Sequence, residues 1–285
     1  MFVAFLLIPV VAGNVFVESS SRRVPEITER QHGPRKTYLL FDPCNTNKPG
    51  NRTISCSQIK MRERSSNNKK YEIYPLGSLL NVTCDMASDG GGWTVVQRRT
   101  EKEASDALFE KAFEDYERGF KTNEGSFWIG LENLHSLTSY PNNQQALRIE
   151  LKRKEATETT VVLYNKFQVG SKEEHYKLTI GEYQGPSGTD YDALSHHNGA
   201  EFAIKYMADK IGDRCSVSLS GGWWFKTCNE ANLNGRKFNN PPSINALGIT
   251  WHVKGKNESY KYIYDKVKMK IRDADFGFCT GSLRS

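Results

Sequence analysis

Six cysteines are the residues of this sequence whose spacing most limits their chemistry. They are Cys44, Cys56, Cys84, Cys215, Cys228 and Cys279. No two of them form a Cys-x-x-Cys pair, and no histidine lies at zinc-finger spacing, so the pattern argues against a structural zinc site. An even number of cysteines favours disulfides if the chain is secreted, although spacing alone does not choose among the pairings.

Other stretches raise the question of catalysis. His196 and His197 are adjacent, but no His-Glu-x-x-His motif and no Gly-x-Ser-x-Gly elbow occurs in the sequence. Three glycines precede Trp93, but no Lys-Ser or Lys-Thr follows them, so a turn that leads into a strand is a better reading than a phosphate loop. We predict that the protein is not an enzyme and has no catalytic residue.

The stretch CSVSLSGGWWFKTC, from Cys215 to Cys228, sets two glycines beside two tryptophans. Such a segment could bind a ligand, or it could mainly hold itself together. The functional prediction depends on which of these applies.

Composition limits the class of protein. The chain has 285 residues, 38% of them hydrophobic, and a formal net charge of +6. This composition excludes a polytopic membrane protein, and we expect no membrane insertion. Lysines and arginines are scattered rather than clustered, so we expect no nucleic-acid partner, while weak heparin-like contacts stay open.

The first residues predict export. Residues 1–13, MFVAFLLIPVVAG, suit the apolar core of a signal peptide, although they lack a basic start. A buried first strand is the alternative, and Pro9 argues against it. Three Asn-x-Ser/Thr sequons add support, because such acceptor sites matter only in secreted chains. We predict a secreted, extracellular glycoprotein with acceptor sites at Asn51, Asn81 and Asn257.

Along the chain, residues 14–36 are polar and read as a flexible leader, residues 37–279 as one globular domain, and residues 280–285 as a tail. Helical spacing occurs at 108–116 and again around 130–137. Alternating or β-rich stretches predict strands in YEIYPLGSLLNVTCDM, WTVVQRR, QALRIELKR, TVVLYNKFQVG, HYKLTIGEY and YIYDKVKMKIR. Residues 183–261 have little periodicity. We predict an α+β domain.

Seven stretches resemble the fibrinogen C-terminal domain family, in that family's order, over roughly residues 53–273. They are NVTCDMASDGGGWTVVQRR, FWIGLENLHSLT, ALRIEL, YKLTIGEYQGPSGTD, HHNGAEF, GGWWFKTCNEANLNGR and KMKIR. The resemblance implies a small N-terminal disulfide-bonded subdomain, a central, mostly antiparallel sheet with short helices, and a loop-rich C-terminal binding part at about 183–261. Ficolins, tachylectins, angiopoietins and tenascins carry such domains, as lectins, receptor ligands or adhesion modules without catalytic roles.

The resemblance also implies the disulfides Cys56–Cys84 and Cys215–Cys228. Cys44 and Cys279 lie outside the family's usual pattern. They could pair with each other, which we favour, or form an intermolecular bridge. With its ends joined, a loop the size of 215–228 gains roughly 3 kcal/mol in the chain-entropy model. We therefore predict that this loop chiefly stabilises itself, with its tryptophans beneath it, and that surrounding residues contact a ligand.

In lectin members of the family the binding pocket lies beside the later disulfide, and the bond before its second cysteine, here Thr227–Cys228, is often cis. The resemblance places candidate ligand-binding positions at Leu219, Trp224, Thr227, Asn229, Asn245 and Ala246. Three of them depart from the acetyl-binding pattern, because Leu219, Asn229 and Asn245 replace a tyrosine, a histidine and a tyrosine. An acetyl group therefore lacks its aromatic cage, while another sugar or a protein stays open.

The family's calcium site is also incomplete. Counting back from Cys215, Asp209 falls on one expected aspartate position and Met207 on the other. Asp213 could add a carboxylate or a carbonyl oxygen. Calcium needs about six to eight oxygens and more than one carboxylate, so we predict no obligatory cofactor and a doubtful calcium site, with a surface loop held by salt bridges as the alternative.

Two functions follow. The first is a secreted recognition module of innate defence that binds glycans or cell surfaces. The second is a receptor ligand or matrix adhesion protein that binds a protein partner. The sequence has no heptad or collagen-like repeat, and a homo-oligomer stays open.

Overall fold

A computed structural model of the protein describes residues 27–29, 36–38, 53–63, 67–140, 143–187, 190–205, 207, 219–226 and 230–280. The chain divides into two units, Met1–Asn45 and Thr46–Ser285. Within the described residues, no helix combines the length and the apolar character that a membrane span requires.

The first unit contains one short antiparallel pair, β1 (Ile27–Glu29) with β2 (Lys36–Tyr38), in which Ile27 lies opposite Tyr38. This pairing falls largely in the segment that the sequence predicts as a flexible leader. Its three-residue strands carry no alternating pattern that would reveal them.

Among its described residues, the second unit contains the remaining strands and four α-helices. The strands are β3 (Lys69–Ile73), β4 (Leu80–Asp85), β5 (Trp93–Arg99), β6 (Phe120–Lys121), β7 (Phe127–Trp128), β8 (Gln145–Arg153), β9 (Thr159–Val169), β10 (Leu178–Gln184), β11 (Ala203–Ile204), β12 (Gly222–Trp223), β13 (Ala231–Asn232), β14 (Thr250–Trp251) and β15 (Tyr264–Asp273). The helices are α1 (Cys56–Glu63), α2 (Phe113–Arg118), α3 (Leu131–Thr138) and α4 (Phe276–Thr280).

An antiparallel sheet of nine strands forms the centre of this unit, in the order β10-β9-β8-β15-β5-β4-β3, with β7 beside β5 and β6 beside β7. The strand that is last in the chain, β15, is central in the sheet, since it pairs with β8 on one side and β5 on the other. The predicted strands at 145–153, 159–169 and 264–273 are confirmed. So is the α+β class with a mostly antiparallel sheet and few helices.

One face of the sheet carries the core. Residues that alternate along β8 and β9, such as Leu147, Ile149 and Val162, are buried on that face. Helix α3 packs there against β9, and Thr138 at its last turn accepts a hydrogen bond from the Val169 amide at 3.0 Å. The helix predicted around 130–137 is therefore confirmed. Its buried residues recur every three positions, as an amphipathic helix requires.

The helix expected over 108–116 begins only at Phe113. Ala112 is extended, with φ −67° and ψ 161°, and the segment before it forms turns. Phe109 is buried there, and its carbonyl accepts a hydrogen bond from the Tyr116 hydroxyl at 2.7 Å. The apolar residues thus reach the core from a turn followed by a short helix, so helical spacing alone placed the start too early.

The disulfide Cys56–Cys84 joins α1 to β4 and confirms the pairing implied by the family resemblance. Cys279 is also disulfide-bonded. Cys44, Cys215 and Cys228 lie outside the described residues, so Cys215–Cys228 and Cys44–Cys279 stay predictions.

A buried ion cluster stabilises the centre of the sheet. Lys270 on β15 has a side chain that is 1% exposed, and its ammonium group lies 2.5 Å from Asp85 and 2.6 Å from Glu150. Burial alone would raise the pKa of both carboxyls, but hydrogen bonds from Lys270 hold each pKa below its ordinary value. Lys270 therefore pairs with both carboxylates, and Arg148, 3.0 Å from Glu150, supplies the second positive charge that balances them.

We predict that Lys270→Met lowers the free energy of unfolding by roughly 3 to 5 kcal/mol, because it removes the buried cation that Asp85 and Glu150 share. Urea unfolding monitored by tryptophan fluorescence measures the change. Lys268→Met is the matched control, since Lys268 is half exposed on the same strand and lies 3.9 Å from Glu150, and we expect it to cost less than about 1 kcal/mol. Equal losses in the two variants would contradict a stabilising role for the cluster.

Candidate recognition face

The loop-rich part, residues 183–261, packs against the sheet through its tryptophans. Trp223 and Trp224 are both fully buried. The ring of Trp224 lies 5.3 Å from that of Phe202 and 6.1 Å from that of Trp128, and its indole nitrogen donates to the Tyr176 carbonyl at 2.8 Å. These tryptophans are therefore core residues, and their position beneath the loop stays a prediction because residues 215–218 and 227–228 lie outside the described part of the chain.

The two glycines before these tryptophans allow close packing. Gly221 has φ +61°, and a β-carbon there would lie 2.3 Å from the Asn234 carbonyl oxygen. A β-carbon at Gly222 would lie 2.8 Å from the ring of Tyr116. A side chain at either position would push β12 away from its neighbours, so these glycines are needed for packing.

Two asparagines brace the loops from the inside. Asn232 donates from its side chain to the Ser220 carbonyl at 2.8 Å, and Asn234 donates to the Gly222 carbonyl at 3.0 Å. Both are fully buried. Their amides hydrogen-bond to backbone carbonyls of the neighbouring segment, and buried backbone groups require such partners.

His197 braces the same region and has no free ring nitrogen. Its Nε2 accepts the Ala231 amide at 3.0 Å, so Nδ1 carries the proton and donates to the Trp224 carbonyl at 2.7 Å. Burial lowers the pKa of His197 to about 4, which keeps the ring neutral at pH 7. This histidine therefore links two loop segments through its two ring nitrogens. That role agrees with a structural rather than a catalytic function for the stretch HHNGAEF.

Two side chains of strand β5 also hold the loop backbone in place, which the sequence pattern did not indicate. Arg99 donates to the Gly235 carbonyl at 2.7 Å and to the Leu233 carbonyl at 3.1 Å, and it pairs with Glu103 at 2.8 Å. Gln97 donates to the same Leu233 carbonyl at 2.8 Å. Both side chains are buried, so the sheet itself fixes the position of residues 233–235.

The predicted ligand-binding residues divide into three groups. Leu219, Trp224 and Ala246 are buried, and Ala246 has φ +61°. Asn245 is exposed on the loop that precedes Ala246. Thr227 and Asn229 lie outside the described residues, so neither their position nor the geometry of the 227–228 bond is assigned. The first group therefore belongs to the interior, and Asn245 is the exposed residue among the described candidates.

The candidate calcium ligands Asp209 and Asp213 also lie outside the described residues, and Met207, at the other expected position, is exposed. Among the residues that are described, no three His, Cys, Asp or Glu side chains are grouped as metal ligands would be. Of the sequons, Asn81 on β4 and Asn257 are exposed, while Asn51 lies outside the described part of the chain.

Comparison with known protein families decides the classification. The family described as "Fibrinogen beta and gamma chains, C-terminal globular domain" matches residues 53–274. The chain belongs to the fibrinogen C-terminal domain family. That match covers the sheet, the core helices and the braced loops.

Curated relatives carry the fibrinogen C-terminal domain in chains of different length. Techylectin-5A of Tachypleus tridentatus is 37% identical over 72% of this chain and 69% of its own. Ryncolin-4 of Cerberus rynchops is 35% identical over 72% of this chain and 57% of its own. Tenascin-R of Gallus gallus is 39% identical over 69% of this chain, which is only 14% of the tenascin. The chain therefore spans a variable share of its relatives.

Solved structures agree on the fold. The fibrinogen-like globe domain of human ANGPTL6 superposes with a TM-score of 0.65 at 27% identity, over 78% of this chain and 97% of that one. A lamprey fibrin D-dimer complexed with the peptide Gly-His-Arg-Pro-amide gives a TM-score of 0.64 over 83% of this chain and 78% of its own, but at 23% identity it supports the fold alone.

We predict that Gly221→Ala destabilises the domain by roughly 3 kcal/mol or more, because it adds a backbone clash to the strain of a positive φ. Gly255→Ala separates the two effects, since Gly255 has φ +81° with nothing within 4 Å of a β-carbon. We expect only about 1 kcal/mol there. Chemical unfolding of both variants provides the comparison, and similar losses would argue against the close approach to Asn234.

We also predict that protonation of His197 destabilises the domain in mild acid. Its folded pKa of about 4 lies below the ordinary value of 6.5, so the unfolded chain binds this proton first and stability falls as the pH falls. The loss from this group is roughly 1.5 kcal/mol between pH 6.5 and 5. Asp85, Glu103 and Glu150 have lowered pKa values. Their contributions to stability are therefore lost at a lower pH than that of His197.

Unfolding free energies across this pH range measure the slope. His197→Gln removes the titrating group, so its slope should be smaller than that of the parent. A parent slope that survives His197→Gln would assign the proton to another group.

Proposed function

We propose that this domain is a secreted, non-catalytic recognition module of innate defence that binds glycans or cell surfaces through its loop-rich part, residues 183–261. The observation that carries the proposal is the internal bracing of that part. Buried side chains of Arg99, His197, Asn232 and Asn234 hold loop backbone in place. Loops fixed before binding lose little conformational entropy when a ligand arrives, and this preserves affinity.

The exposed chemistry of this part suits polar ligands. Asn245 follows the exposed Ile244 and presents an amide, which can both donate and accept hydrogen bonds, as sugar hydroxyls require. Ala246 behind it is buried at a positive φ, which directs the chain at this point. Names among the relatives, such as Techylectin-5A, support a glycan as the ligand class.

The ligand should differ from an acetylated sugar. Leu219 is 1% exposed and offers no aromatic surface. Asn245 likewise replaces an aromatic platform with an amide. We therefore infer that recognition depends on hydrogen bonds to hydroxyls rather than on a cage around a methyl group. Calcium at Asp209 and Asp213 is not required by this proposal, and the same assay tests it.

A protein partner is the second candidate. The same two departures, Leu219 and Asn245, are also compatible with a receptor or adhesion partner, which needs no aromatic platform for a sugar. The similarity to tenascin-R and to human ANGPTL6 supports this alternative as well. Secretion belongs to both candidates and rests on the apolar residues 1–13 and on the exposed sequons Asn81 and Asn257.

A glycan array probed with the full chain tests the first candidate. We expect saturable binding to a subset of glycans, and Asn245→Arg should weaken it at least about tenfold by displacing the amide. Asn240→Arg, at another exposed asparagine of the same loop, is the control for the added charge. Repeating the array with EDTA reports whether calcium takes part.

The outcome separates the candidates. The glycan ligand would be rejected if the chain bound no arrayed glycan. Saturable binding to cells that persists after their enzymatic deglycosylation would then support the protein partner. Glycan binding that is unaffected by Asn245→Arg would place the site elsewhere on the domain.

A further inference from the structure

One edge of β5 pairs with two different strands, β4 and β7. We call the gap between Leu80–Val82 of β4 and strand β6 the fork. The first half of β5 pairs with β4, where Thr83 lies opposite Val95 and Asp85 opposite Trp93. Its second half pairs with β7, where Arg98 lies opposite Phe127. The other edge of β5 is paired with β15, so β4 and β7 must share the remaining edge. The β6–β7 hairpin therefore takes the place beside β5 that the start of β4 would otherwise occupy.

The two arms of the fork face each other with free edges. Among the described residues, Leu80–Val82 of β4 have a ladder partner only in β3, and β6 has one only in β7. Both segments line one cleft of about 420 Å³, which is within the range of ligand sites. Exposed strand edges of this kind accept an additional strand from another chain.

The strand register gives the cleft two chemically different sides. On the core side, Val82 on β4 belongs to the hydrophobic core, and Leu80 and Phe120 pack against that core. On the outer side, Lys70 lies opposite Thr83, and Lys121 lies opposite Phe127, next to Arg98. A strand placed between the two edges would therefore direct alternate side chains into apolar and basic surroundings.

Charge further limits the occupant. Four basic residues line the cleft: Lys70, Arg98, Arg118 and Lys121. No acidic residue is among its described lining residues. Lys70 and Lys121 are exposed, whereas Arg98 donates to the Gly125 carbonyl and Arg118 lies 3.5 Å from Asp115. The two lysines are thus the cations most available to an incoming anion.

We propose that this fork is a second interaction surface, which binds an extended peptide segment of a partner protein by strand addition between β4 and β6. The segment alternates apolar residues, which face Leu80, Val82 and Phe120, with acidic residues, which face Lys70 and Lys121. Asn81 lines the same cleft and is the acceptor asparagine of a glycosylation sequon. A glycan attached there would cover the outer side and block the peptide.

The probe is a fluorescein-labelled heptapeptide of alternating glutamate and valine, and fluorescence anisotropy with the full chain measures its binding. All proteins carry Asn81→Gln, so that no glycan covers the cleft. We expect saturable binding that falls at least about tenfold in the double variant Lys70→Glu and Lys121→Glu. Lys69→Glu is the matched control, because Lys69 is exposed on the same strand but alternates to the other face.

Two further peptides separate strand addition from simple charge attraction. A peptide of the same sequence with N-methyl groups on alternate residues keeps its charge but loses backbone donors, so its binding should fail. A peptide of the same composition with all glutamates first should bind more weakly. Equal binding of the N-methylated peptide, equal binding to the double variant, or binding of heparin but no peptide at this cleft would overturn the proposal.

Discussion

The structure depends on one long-range arrangement, in which the last strand of the domain lies in the middle of its sheet. Strand β15 pairs with β8 on one side and with β5 on the other, so among the described strands it joins the two halves of the sheet. Its Lys270 also pairs with Asp85 of β4 and Glu150 of β8. The backbone ladders and this ion cluster make the sheet a single unit on which the loops are carried.

The described loops within residues 183–261 are held against the same sheet by side chains rather than by regular secondary structure. Their strands have two residues each, too few to satisfy a buried backbone. Arg99, His197, Asn232 and Asn234 supply the missing hydrogen bonds. This explains how described residues of a segment with little periodicity can be as buried as a core.

The two proposed surfaces use different consequences of this framework. The loop-rich part presents polar groups on a braced backbone, which suits a ligand that is read by hydrogen bonds. The fork between β4 and β6 exists because β5 has one edge for two partners, and the hairpin that fills half of it displaces the start of β4. One domain could therefore hold a polar ligand and an extended peptide without competition between them.

The sequence by itself determined the family, through the order of seven motifs, and the strands at 145–153, 159–169 and 264–273, through their apolar alternation. It also predicted α3, whose apolar residues recur at helical spacing. These features are local, since each depends on residues that are neighbours along the chain. The resemblance further supplied the Cys56–Cys84 bond, which spacing alone could not choose.

Tertiary structure decided what depends on distant partners. A bulge between Met269 and Lys270 shifts the register against β5, so that Val95 faces outward whereas Arg99, four residues later, is inside with the loops. No alternation along WTVVQRR predicts that change of face. Likewise, Phe109 is buried from a turn because the Tyr116 hydroxyl bonds to its carbonyl, and not because a helix places it there. Strand pairing, burial and charge pairing between remote segments determine which face of the sheet these residues occupy. The order of residues along the chain does not contain that information.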